Sequence, residues 1–62
     1  MKFGLEEQVV IKHNGAVGLV IDREIENDEF LYVVTYMLNE ESVCEQFNEN
    51  ELEKMELENE RD

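Results

Sequence analysis

The side chains able to do chemistry in this 62-residue chain are one histidine, one cysteine and 17 carboxylates, set against five basic residues for a net charge of −12. His13 with Cys44 is the one combination that suggests a nucleophile and base, or a zinc pair. A reactive thiolate needs a basic environment to lower its pKa, and zinc takes four ligands at closer spacing; neither is visible around these two residues. A lone histidine ending a strand and a lone cysteine acting as a small buried hydrophobe account for both. The run Asp22-Arg23-Glu24-Ile25-Glu26-Asn27-Asp28-Glu29 alternates carboxylates as a calcium loop does. It lacks the glycine of the sharp turn, begins inside an expected strand and has no flanking helices. We therefore expect no catalytic residue, no metal and no cofactor, and a protein that is not an enzyme.

The carboxylates matter more as a surface. Residues 1–21 balance two acids with two lysines, so the excess lies wholly downstream. Asp22, Glu24, Glu26, Asp28 and Glu29 form a first patch and Glu49, Glu51 and Glu53 a second. Acids on alternate residues of one strand repel each other, a cost that invites a compensating partner. On a rigid sheet they stand about 7 Å apart, a row of negative charge comparable to a phosphate backbone. Such a surface repels nucleic acid and attracts basic proteins, so the chain is expected to mimic nucleic acid rather than bind it. The expected role is to dock on a basic surface of a nucleic-acid-handling protein, such as RNA polymerase or a DNA-binding factor, and to modulate or inhibit it. Two alternatives stand beside this: charge that serves solubility alone, and a structural or assembly module holding a peptide or another copy in an apolar groove around Tyr32, Tyr36 and Met37.

Apolar runs bounded by turn residues predict the elements that position these groups. Phe3 and Leu5 are expected beneath the sheet, with Gly4 letting the chain turn. Val9 to His13 is the first strand. Asn14-Gly15 offers positive φ for a tight turn, and Gly18 a bulge or a close backbone approach. Ala16 to Ile25 is the second strand, with Val17, Leu19 and Ile21 in alternation and Val20 on the other side. Residues 26–29 form a polar loop, and Phe30 to Leu38 is the strongest strand, its core face given by Tyr32, Val34 and Tyr36. Residues 39–42 make the next hairpin loop, Val43 to Phe47 the fourth strand with Val43 and Phe47 on one side, and residues 48–51 a turn with 3₁₀ character. Residues 52–57 close the domain as a fifth strand, and 58–62 form a flexible acidic tail.

At this length folding hides only about 60% of the unfolded surface, which allows a single domain, residues 1–57, around one compact core. A single cysteine permits no internal disulfide, acids appear by residue 6, and no apolar run approaches a membrane span. The expectation is a cytoplasmic monomer without membrane contact. Five short strands are expected to close into a small barrel, because closure removes exposed edges.

The order of features resembles the SH3-like small barrels of the KOW and Tudor-type branch. Gln8-Val9-Val10-Ile11 matches the first strand, Gly15-Ala16-Val17-Gly18-Leu19-Val20 the glycine turn, Tyr32-Val33-Val34-Thr35-Tyr36 the third strand and Phe47 to Glu53 the closing segment. The resemblance implies an all-β, five-stranded SH3-like barrel and a binding role, since KOW domains contact RNA or transcription machinery and Tudor-type domains contact peptides. Acids stand where RNA-binding members need Lys and Arg, and Phe30, Tyr32, Tyr36 and Phe47 are wanted by the core rather than by a methyl-lysine cage. Short acidic chains of this kind also resemble those carried by bacteriophages and mobile elements.

Overall fold

A computed structural model describes residues 3–55 as one five-stranded antiparallel sheet: β1 (Gln8–Ile11), β2 (Val17–Glu26), β3 (Glu29–Leu38), β4 (Glu41–Asn48) and β5 (Leu52–Lys54), with a 3₁₀ turn at Glu49–Glu51. The strand order is β4-β3-β2-β1-β5. The chain is all-β as expected, but the sheet is not closed into a barrel: β4 and β5 are its two ends and do not pair. β5 has only three residues, and the 3₁₀ turn stands in the chain between these ends. The expected continuation of β5 to residue 57 and the acidic tail 58–62 lie outside the described residues.

Two of the three hairpins are tighter than expected. Strands β2 and β3 run on to a Glu26↔Glu29 pair, and β3 and β4 to Leu38↔Glu41. Each turn is left with two residues, Asn27-Asp28 and Asn39-Glu40, all four at positive φ. That is the turn whose twist matches a hairpin, adopted here without glycine. The first hairpin is the looser one. Only Gly15 has positive φ, at 75°; the Asn14 side chain instead accepts from the Ala16 N–H at 2.9 Å. The Gly15 N–H donates back to the Ile11 carbonyl at 2.7 Å, so β1 ends two residues before His13.

One face of the sheet is the core. Val9, Ile11, Val20, Tyr32, Val34, Tyr36, Phe47 and Leu52 cluster there with Phe3 from the lead-in. Phe47 and Leu52 come from the two end strands, so the sheet must curl over its own inner face. Leu5 does not join them and is 54% exposed. Gly18 shares this face, and the close approach expected of it is real: a Cβ there would lie 2.4 Å from Val34 Cγ1 and 2.9 Å from the Thr35 carbonyl oxygen.

The bulge lies further along β2. The register steps from Val20↔Val34 to Asp22↔Val33, which leaves Ile21 as the extra residue. A bulge bends and twists its strand, which favours the curl. It also reverses the side-chain alternation. Gly18 and Val20 face inward, and strict alternation would send Asp22, Glu24 and Glu26 after them into the core. With Ile21 inserted, these three lie opposite Val33, Leu31 and Glu29 on the outer face.

Candidate functional site

The first patch is thus a row on the outer face of β2, continued by Asp28 in the turn and by Glu29 across from Glu26. All five residues are exposed. The cation nearest in sequence does not neutralise them, because the alternation that turns the acids outward turns Arg23 inward, opposite Tyr32. Its guanidinium Nη1 donates to the Phe3 carbonyl at 3.3 Å. Glu24 accepts from the neutral Gln46 amide at 3.4 Å, and the ion pair Lys54–Glu7 at 3.5 Å involves none of the row. Among the described residues, no lysine or arginine forms an ion pair with Asp22, Glu24, Glu26, Asp28 or Glu29.

The second patch does not form a row of its own. Glu49 is half-buried and accepts a hydrogen bond from the Tyr32 hydroxyl, which itself accepts from the Phe3 N–H at 3.4 Å. Glu51 reaches back to the Asn48 N–H at 3.0 Å and so holds the 3₁₀ turn. Glu53 is exposed on β5, opposite Val10. Glu49 joins the first patch instead. The β3–β4 register sets Leu31 opposite Asn48, which brings the Asn27-Asp28 hairpin against the start of the 3₁₀ turn. Asp28, Glu29, Phe30, Asn48, Glu49 and Asn50 together line an open cleft of about 190 Å³. Three carboxylates, two side-chain amides and a partly buried aromatic ring suit a lysine or arginine side chain, with charge at the rim and a ring for cation–π contact.

Phe30, Asn48 and Asn50 were not candidates from sequence. Their signal is the length of the Asn39-Glu40 turn: a two-residue turn there pairs Leu38 with Glu41 and, counting back, Leu31 with Asn48.

The groups considered for covalent or metal chemistry are separated. His13 is exposed in the β1–β2 loop, its ring 6.2 Å from that of Phe47, a residue of the inner face. Cys44 is on the outer face opposite Thr35, exposed rather than buried, because Val43, Glu45 and Phe47 take the inward positions of β4. Among the described residues no three His, Cys, Asp or Glu side chains are grouped to hold a metal ion, and no helix is long and apolar enough to cross a membrane. Of the three residues expected to line an apolar groove, Tyr32 is fully buried in the core, whereas Tyr36 and Met37 line an open groove of about 300 Å³ together with Val17, Leu19 and Thr35.

Tyr36 donates its hydroxyl to Glu45 Oε1 at 2.9 Å. This bond, then desolvation and the Glu45 charge, raises the phenol above its ordinary value of 10.0. The folded state therefore holds this proton more tightly than the unfolded state. The stabilisation is full below pH 10 and is lost as pH rises through the folded value. In an ultraviolet absorbance titration, Glu45→Gln is expected to bring one tyrosine back towards 10 and to remove that part of the alkaline stability loss. An unchanged tyrosine titration would contradict the pairing.

Comparison of the chain with protein families, characterised proteins and solved structures finds no match.

Proposed function

We propose that this chain is a non-enzymatic acidic binding module that docks on a basic surface of a nucleic-acid-handling protein, such as a polymerase or a DNA-binding factor, and modulates or inhibits it. The observation that carries this reading is the exposed carboxylate row on β2, which no lysine or arginine pairs among the described residues, leading to the cleft lined by Asp28, Glu29, Phe30 and Glu49. Alternate residues on one strand face stand about 7 Å apart, a spacing that basic side chains arranged for phosphates can meet. The strand order, with a 3₁₀ turn between β4 and β5, supports an SH3-like assignment, while the binding role is argued from the site. Solubility alone would not require a bulge that places three acids on one face while Arg23 turns away.

Charge reversal tests this. Immobilised protein is expected to retain a basic, nucleic-acid-binding protein from a cell extract, and the paired changes Asp28→Lys with Glu29→Lys, and Glu24→Lys with Glu26→Lys, are each expected to release it. Retention of the same protein by both variants would reject the reading.

A further inference from the structure

We infer that the open edge of β4 is a docking strand for an extended basic segment of the partner, which adds to the sheet as a sixth strand and leads into the acidic cleft. This rests on the acidic-module reading above and specifies how the partner is held.

The edge follows from the hydrogen-bonding parity. Val20 donates its N–H to the Glu7 carbonyl at 3.0 Å, so Val20 points its backbone groups towards β1 and its neighbour Leu19 points towards Thr35 of β3. Thr35 is then turned to β2, while Val34 and Tyr36 exchange hydrogen bonds with Glu45 and Val43 of β4. Ser42, Cys44 and Gln46 are left with their backbone N–H and C=O groups pointing away from the sheet. Asn48 confirms the parity, because its N–H is directed out of the ladder to the Glu51 carboxylate. Among the described residues, β4 is the end strand and no further strand covers these groups.

β4 also lacks the usual protections of an edge. It is eight residues long, contains neither proline nor lysine, and pairs with β3 in an unbroken register. Its only deterrent is negative charge, from Glu41 and Glu45 with Glu40 in the adjoining turn. No lysine or arginine occurs anywhere between residues 24 and 53. That charge opposes a second copy of this acidic chain and favours a basic one. The side chains define the segment further. Glu41, Val43 and Glu45 share the inward side of β4, so the complementary strand carries a basic residue, an apolar residue and a basic residue at alternate positions. Past Gln46 the edge reaches Asn48, which lines the cleft, where a further basic side chain meets Asp28, Glu29 and Glu49.

The probe is a synthetic peptide, Lys-Thr-Val-Thr-Lys-Thr-Val-Thr-Lys, added to the full chain at low ionic strength and followed by amide hydrogen exchange. Saturating peptide is expected to slow exchange at Ser42, Cys44 and Gln46 by about tenfold or more, the effect of new backbone hydrogen bonds. Val43 and Glu45, already in the ladder, should change little. Cys44→Pro removes one outward N–H without touching the β3 ladder and is expected to weaken the peptide by about tenfold. A peptide methylated on its pairing backbone nitrogens should fail against the unaltered protein, which keeps the test independent of how that variant folds. Protection confined to residues 28–30 and 48–50 would overturn the edge inference and leave the acidic-module reading standing. Absence of any binding would overturn both. A dimer that protects the same three amides without peptide would show that a second copy takes the edge, and would overturn the basic segment as its occupant.

Discussion

Gly18→Ala is expected to destabilise the protein by about 2–3 kcal/mol, the upper part of the range for an overpacked core. The backbone of Gly18 is not in the left-handed region, so alanine would by itself stabilise by about 0.5–1 kcal/mol through the unfolded chain. Space decides the sign. The new methyl group would lie 2.4 Å from Val34 Cγ1 and 2.9 Å from the Thr35 carbonyl oxygen. Val34 is fully buried, and Thr35 belongs to β3, an interior strand that pairs with both β2 and β4. Neither can withdraw without moving β3. A domain of this size has roughly 3–9 kcal/mol of stability in all, so the variant should unfold at clearly lower urea concentration. An unchanged or raised midpoint would show that β2 and β3 do not approach so closely.

Leu52→Ala is expected to cost about 3 kcal/mol, within the range of 2–5 for emptying a buried leucine site. Leu52 is the only buried residue of the three in β5, which pairs with β1 through Ile11↔Leu52, Val10↔Glu53 and Val9↔Lys54. The segment is also tied by the Lys12 N–H donated to the Glu51 carbonyl at 3.0 Å. With the leucine side chain removed, this short strand keeps its pairing but loses its core anchor. The effect should reach the site, because the 3₁₀ turn between β4 and β5 carries Glu49 and Asn50 of the cleft. Amide exchange should quicken over residues 49–54 more than over β3. A uniform loss across the sheet would instead mean that β5 unfolds only with the whole domain.

Strong local patterns made most of the fold legible. Tyr32, Val34 and Tyr36 alternate cleanly, and they are inward on β3 with Val43 and Phe47 beside them. The second strand was harder. Its apolar residues Val17, Leu19 and Ile21 suggest one face, yet Val20 is the buried one while Val17 and Ile21 are each 45% exposed. Periodicity cannot locate a bulge, and one inserted residue exchanges the two faces beyond it. The need to cover edges predicts barrel closure, but that pressure does not specify which edge a protein covers. The tight hairpins were obscured because Asp28 and Glu40 occupy positions where glycine is the usual signal.

The acids of the site were visible from composition and alternation, but their grouping was not. Glu49 and Glu51 follow the same alternate spacing as Glu53, yet one binds Tyr32, one holds the 3₁₀ turn, and only Glu53 is an exposed carboxylate on a strand. What brings Glu49 to Asp28 and Glu29 is the β3–β4 register, a long-range feature set by a turn elsewhere in the chain.

The central claim is that exposed carboxylates, rather than apolar contact, attach this protein to a basic partner. Its most direct test is the affinity for the captured partner as ionic strength is raised from a low value to the physiological range, where the screening length falls to about 8 Å. Affinity should fall by about tenfold or more, mainly through slower association. An affinity that holds constant across that range would contradict the claim and point to the exposed apolar residues of the outer face instead.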